Sequence, residues 1–396
     1  MGAPLTITPP TPREPLWRRN FILVCLSNLA VFAGFQMLTP TIPVYVESLG
    51  GQATIMGLVM GIFTLAAVGV RPFVGWALNA IGRKQVFLFG LAVFIVSALA
   101  YRWAPSIGVL LALRFVHGFG WGFSTTAAGT IAADVTPKSR LGEGMGYFGG
   151  VSTIAMATGP ALGLFLINRF DFPTMFYASA GLACAATALA GAIRYAKAAS
   201  PPATATARSK TALIEVGALR PSLVMLLSNT AFGAVFTFIA LYGIQRGIAN
   251  IGLFFTVFSA ALLATRPVAG ILLDRRGANV VVVPGLVATA AGLVLLSQAQ
   301  PLWMFLVAGV VYGVGFGAVQ PSLQTLAVRD LPRDRVGLAT GTFYNGFDLG
   351  IGLGSVLGGI IAEATGYSQM YLWTSTPVVL ALLVYLATAG HKRSPN

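Results

Sequence analysis

The sequence predicts an all-α integral membrane protein of twelve transmembrane helices. Three observations carry that prediction. Hydrophobic residues make up 56% and charged residues 9% of the 396 positions, and the mean hydropathy is +0.80, a balance that no soluble domain with one buried core sustains. At about 20 residues per span plus a short connection, the length accommodates roughly twelve helices and no sizeable domain outside the bilayer. The basic residues alternate, with 19 of the 25 Lys/Arg in one alternating set of connections, so the positive-inside rule places both termini in the cytoplasm. That placement also removes nucleic acid as the reason for a net charge of +14.

The elements follow in order. The first span, 20–45, is entered through Arg18 and Arg19, behind a Pro-rich start at 8–15 that lacks the layout of a signal peptide. Spans at 54–78, 85–104, 107–133, 142–167 and 173–194 complete the first half. Ala198 to Lys210 is rich in Ala, Pro, Ser and Thr, the composition of a flexible linker. The second half carries spans at 220–244, 250–273, 280–298, 302–328, 337–363 and 370–390. The expected organisation is a tail at 1–19, a half at 20–197, a linker at 198–219, a half at 220–390 and a tail at 391–396.

The halves are a repeat with a constant offset of 195 residues. Arg71, Pro72, Gly75, Leu78 and Gly82 match Arg266, Pro267, Gly270, Leu273 and Gly277; Gly146, Gly159 and Gly163 match Gly341, Gly354 and Gly358. Six spans per half give both halves the same orientation, the parallel repeat that rocks around a central site.

Asp348 is the only carboxylate deep inside a span and falls near the bilayer midplane. Such an acid is costly, so it tends to face a wet cavity or a partner on an ion or proton path. Asp348 is therefore the candidate proton carrier, with an acid at a span end such as Glu47 or Asp134 as the alternative, and Tyr344 and Asn345 lie on the same helical face as hydrogen-bonding neighbours. Arg114, about seven residues inside span 4, and His117 one turn on are further coupling candidates. Tyr312, Phe316, Gln320 and Gln324 recur every four residues as one aromatic and amide stripe, a lining suited to an amphipathic, weakly charged ligand. Cys25, Cys184, His117 and His391 have no metal-ligand spacing, so no metal and no cofactor beyond a proton gradient is expected.

Three motifs resemble the major facilitator superfamily. Gly75-Trp76-Ala77-Leu78-Asn79-Ala80-Ile81-Gly82-Arg83-Lys84 and its repeat, Gly270 to Gly277 with Asp274 and Arg275, resemble that family's loop signature G-x-x-x-D-R-x-G-R-R, although Asn79 and Ala80 replace its acid and base. Gly146, Ala155, Gly159, Pro160 and Gly163 resemble the family's exporter-associated glycine motif, with Ala155 and Leu164 in place of two glycines. Arg114-Phe115-Val116-His117-Gly118 resembles R-x-x-Q-G. The resemblance implies a fold of two pseudo-symmetric six-helix halves. It also implies a conformational switch built on Gly75, Asn79, Gly82, Arg83, Asp274, Arg275 and the span 5 motif, and a cavity lined by spans 1, 4, 7 and 10. That cavity adds Asn28, Gln36, Trp121, Asn229, Phe232 and Phe236 as candidate substrate contacts.

The chain is most similar to the twelve-span drug/proton antiporter branch, which implies proton-coupled export of a small amphipathic compound across a bacterial plasma or inner membrane by a monomer. Gly233 to Asn250 with Asp348-Leu349-Gly350 also resembles opine-metallophore exporters, so a dedicated metabolite exporter is the first alternative. A proton-coupled importer is the second, and the span 5 motif argues against it. A membrane-embedded enzyme is disfavoured, because no nucleophile-base pairing and no metal motif supports one.

Overall fold

The computed structural model describes residues 15–137, 140–194, 214–329, 331 and 335–389. Among the described residues, twelve helices are long and apolar enough to cross a membrane. In chain order they are α1 (Arg19–Ser48), α2 (Ala53–Ala80), α3 (Arg83–Ala100), α4 (Ile107–Val135), α5 (Leu141–Arg169) and α6 (Phe172–Gly191). The second half comprises α7 (Leu219–Gln245), α8 (Leu253–Arg276), α9 (Asn279–Ser297), α10 (Leu302–Val328), α11 (Val336–Thr365) and α12 (Tyr367–Ala389). The proposed linker at 198–219 and both tails lie largely outside the described residues. With an even number of spans, α1 begins and α12 ends on one side of the bundle, the terminal side, and the opposite face is the far side.

Local chemistry sets the boundaries. Asp171 caps α6 by accepting the Thr174 amide at 2.7 Å, and Pro173 occupies the first turn, where a missing N–H costs nothing. Gly82 (φ +116°) precedes α3 and Gly277 (φ +84°) follows α8. These two glycines are repeat mates, and both adopt a backbone that L side chains rarely enter.

Small residues bring the helices within each half together. A Cβ added at Gly159 would lie 2.7 Å from Gln36 of α1, and one at Gly163 would lie 2.6 Å from the Met37 carbonyl. Their repeat mates face α7: at Gly354 an added Cβ would lie 1.9 Å from the Thr230 carbonyl, and at Gly358 it would meet Ala234 at 3.1 Å. Close backbone approach of this kind is how helices associate in lipid, where apolar burial supplies little drive.

Amide ties reinforce the same contacts. Asn28 of α1 donates to Ser152 of α5 at 3.0 Å, and Asn229 of α7 donates to the Phe347 carbonyl of α11 at 2.9 Å. Ser152 and Phe347 obey the offset of 195, whereas Asn28 and Asn229 are 201 apart. The path from the α7 asparagine to Arg266 is thus six residues shorter than that from Asn28 to Arg71, and α1 and α7 superpose in a register of their own. With that register for Phe35 and Phe236 and the offset of 195 for the others, Phe35, Trp121 and Phe63 correspond to Phe236, Phe316 and Phe258, and each trio forms an aromatic cluster in its own half.

The halves meet through α2 against α11 and α5 against α8, and on the far side they are tightly closed. A Cβ added at Gly57 would lie 2.1 Å from the Ser355 carbonyl, and one at Gly359 would lie 2.4 Å from that of Ala53. The Thr54 amide donates to Glu363 at 3.0 Å, and Thr256 donates to the Ala157 carbonyl at 3.1 Å. Toward the termini the same four helices part: Gly75, Gly146, Gly270 and Gly341 have no neighbour within 4 Å of an added Cβ. The central space therefore opens on the terminal side.

Candidate functional site

The floor of that opening is a polar belt at mid-depth. Asp348 lies 12 residues into α11, roughly 18 Å from its terminal-side end. It is not the isolated acid that the sequence suggests. Arg71 of α2, from the opposite half, forms a salt bridge with it, and both side chains keep about a fifth of their surface open, 23% and 20%. The repeat mates of these residues also meet: Arg266 of α8 donates to Thr153 of α5 at 3.1 Å. Each half thus reaches across to the other with an arginine, but among the described residues only one of the two arginines finds a carboxylate.

Arg266 extends the belt along the amide stripe. Its second terminal nitrogen donates to Gln320 at 2.9 Å, Gln320 donates to Gln324 at 3.2 Å, and Gln324 donates to the Tyr344 hydroxyl at 3.2 Å. Tyr344 lies within electrostatic reach of Asp348, Arg266 and Arg71 together. Asn345 is half-buried on the same turn, and its side chain makes no hydrogen bond among the described residues. One turn from Gln320 on α10, Phe316 stacks with Phe232 at 4.7 Å, and Phe232 stacks with Phe236 at 4.0 Å. Phe347 closes that wall, 6.0 Å from Tyr344 between ring centroids.

Several other candidates are enclosed. Asn28 and Asn229 are buried in the helix ties described above. Gln36 is buried where Gly159 meets α1, and Trp121 stacks on Phe35 at 4.1 Å inside the first half. Tyr312 is fully buried behind Phe258 and Phe316.

Arg114 and His117 are also fully buried, away from the belt. Arg114 donates to the Met60 sulfur at 3.0 Å and lies 4.8 Å over the Phe63 ring. His117 shares a 2.8 Å hydrogen bond with Tyr101 and meets Phe94 edge-on at 4.2 Å. The guanidinium therefore does not reach out to an interface; it ends inside the packing of α2, α3 and α4.

Among the switch candidates, Arg83 pairs with Asp134 at the terminal-side ends of α3 and α4, within one half. Asp274 and Arg275 are exposed, and the side chain of Asn79 lies outside the described part. Pro160 is buried in α5; its mate Ser355 bonds Thr237 at 2.9 Å and the Gly233 carbonyl at 3.2 Å.

The sequence model of the Major Facilitator Superfamily matches residues 24–250 and 248–396, one match to each half. The chain belongs to this superfamily. Curated superfamily relatives include the multidrug resistance protein MdtG of Serratia proteamaculans, 28% identical over 395 residues with 95% of each chain covered. The staphylopine export protein of Staphylococcus aureus is 24% identical over 378 residues, covering 92% of this chain and 94% of the relative. Among solved structures, the nucleoside transporter NupG shares the fold with a TM-score of 0.74 at 15% identity, covering 95% of this chain and all of the other. The protein is accordingly a multi-pass membrane transporter of small molecules and not an enzyme.

Arg71 and Arg266 were the residues that sequence reasoning left outside the site. The signal was present: both are charged, both lie within spans, and they are repeat mates.

Proposed function

We propose that the protein is a proton-coupled exporter of a small amphipathic compound, with Asp348 as its proton carrier. The observation that carries this reading is the Arg71–Asp348 pair, which joins the two halves at the floor of an opening. Taking the basic terminal side as cytoplasmic, the opening faces the cytoplasm of a bacterial plasma membrane, and the monomer is poised to load.

An ionised Asp348 ties α11 to α2 and keeps the far side shut. Two events break the tie: a proton that neutralises Asp348, or a substrate whose polar group takes over the contact with Arg71. The charged groups that face Asp348 are Arg71 from α2 and, through Tyr344, Arg266 from α8. The empty, deprotonated transporter stays locked. Proton and substrate therefore carry the halves across in alternate half-cycles, and that exclusion is antiport. Each ligand shifts the equilibrium only through its differential contact with the two states.

The names of the multidrug and staphylopine relatives support export, as does the glycine and proline motif of α5. The staphylopine relative also favours a second reading, a dedicated exporter of one metabolite. Proteoliposome transport against a panel of lipophilic cations, antibiotics and opine-type anions, with proton flux recorded in parallel, tests both. Uphill transport that collapses in Asp348→Asn while substrate exchange continues is expected; uphill transport at the wild-type rate in that variant would remove Asp348 from coupling.

A further inference from the structure

We infer that Arg266 is the binding point for an anionic group of the substrate, so that the transported compound is an amphipathic carboxylate. This rests on the reading of the central opening as the transport site.

The inference starts from the broken symmetry. Arg71 and Arg266 are repeat mates, and so are Asp348 and Thr153. The first arginine has a carboxylate, while the second has a hydroxyl at 3.1 Å and an amide oxygen at 2.9 Å. The Nε of Arg266 is buried and meets no acceptor among the described residues. No carboxylate among the described residues forms a salt bridge with it. The belt of Arg71, Asp348 and Arg266 thus carries one uncompensated positive charge in the middle of an apolar bundle. A charge there is costly unless a partner arrives, and membrane proteins retain such charges where a ligand or ion supplies it.

The neighbours are arranged to complete a carboxylate site. The chain Gln320 to Gln324 to Tyr344 runs in one direction and ends by donating to the Tyr344 hydroxyl oxygen. The hydroxyl proton is left to donate, and Tyr344 is exposed and within electrostatic reach of Arg266. A planar guanidinium whose Nε lacks an acceptor and a phenol donor match the two oxygens of a carboxylate. Beside them, the half-buried Phe347, backed by the buried Phe316 and Phe232, offers an apolar wall for the body of the same molecule. Displacement of Asp348 from Arg71, required of the substrate above, is likewise an act suited to an anion.

Binding without a gradient tests this. Three probes share one body and differ only in the head: 4-phenylbutyrate, 4-phenylbutyramide and 4-phenylbutylamine, titrated calorimetrically into the full-length protein in nanodiscs. Wild type is expected to bind the carboxylate roughly tenfold or more tightly than the amide or the amine, the range of one charge-assisted contact. Arg266→Gln should lose that preference, and Arg266→Lys should keep part of it. Thr153→Asp, which supplies the missing carboxylate, should also abolish it in a folded protein, because Arg266 is then internally paired.

An equal or reversed preference in wild type overturns the inference. So does failure of wild type to bind any probe, or a preference that survives Thr153→Asp. The assay needs no proton gradient, so its failure is distinct from the failure of Asp348 as proton carrier. Should Asp348→Asn retain uphill transport while the carboxylate preference follows Arg266, the coupling proposal falls and the anion site stands.

Discussion

Arg71 of α2 and Asp348 of α11 form an ion pair across the boundary between the two halves, at the depth where the tightly closed far side gives way to an opening. The repeat places Arg266 and Thr153 at the same positions with the roles of the halves exchanged, and there the acid is missing. One crossing has an acid beside its arginine and the other has only a hydroxyl, so the boundary is asymmetric, and this asymmetry gives a proton one place to act.

The pair should behave as a single energetic unit. Spin labels at Gln52 and Thr365, near the far-side ends of α2 and α11, report the separation of the halves. Arg71→Leu and Asp348→Asn are each expected to widen that distance distribution. The double variant should widen it no further than the more severe single one, because contacting residues couple by about 0.5–3 kcal/mol. Additive widening would mean that the two side chains act independently.

Arg114 poses a different question, because it is wholly enclosed among Met60, Phe63, Tyr101 and His117. Replacing a buried ion pair with apolar side chains of similar volume is often neutral or stabilising by about 1–4 kcal/mol, and removing the Arg114 charge strands no acid among the described residues. Arg114→Met is therefore expected to melt no lower than wild type yet to transport poorly. Normal coupled transport by this variant would assign Arg114 to packing alone.

Gly354 and Gly341 stand on the same helix in opposite circumstances. Gly354→Ala forces a methyl group into the Thr230 backbone, whereas Gly341→Ala meets nothing within 4 Å. Overpacking costs about 1–3 kcal/mol and occasionally more. The first variant should lower the melting temperature of the reconstituted protein clearly, and the second should leave it nearly unchanged. Equal melting of the two would contradict the close α7–α11 approach.

Pro160→Ser makes α5 resemble α11, whose Ser355 bonds Thr237 and the Gly233 carbonyl. If the proline biases export, the folded variant should leak protons or lose gradient dependence. Proton leak and counterflow, measured together, decide it: tight coupling in a merely less stable protein would leave Pro160 as a packing residue.

Much of the fold was legible in the sequence because span length, basic connections and the 195-residue register each report a property of the bilayer or of duplication. Predicted and observed spans differ by a few residues, as 20–45 against Arg19–Ser48 illustrates. The site was less legible. Asp348 stood out as a buried acid, but its partner comes from a helix some 277 positions earlier, in the other half. Nothing local to either residue announces that meeting; only the joint offset of Arg71 with Arg266 and of Thr153 with Asp348 points to it. The correspondence of Asn28 with Asn229 was hidden because six fewer residues lie between Asn229 and Arg266 than between Asn28 and Arg71, which breaks the single register. Helix faces were equally undetermined. The mean composition of α4 or α10 does not say which side meets the opening, and Arg114 and Tyr312 turned out to be enclosed.

The most direct measurement of the central claim is an infrared difference spectrum of the reconstituted wild type and Asp348→Asn between alkaline and acid pH, in the absence of substrate. Proton carriage by Asp348 predicts a protonated-carboxyl band that grows on acidification together with separation of the far-side spin labels, and that is missing from the Asp348→Asn difference. A band that persists unchanged in Asp348→Asn, or label separation that follows pH equally in both proteins, would contradict it.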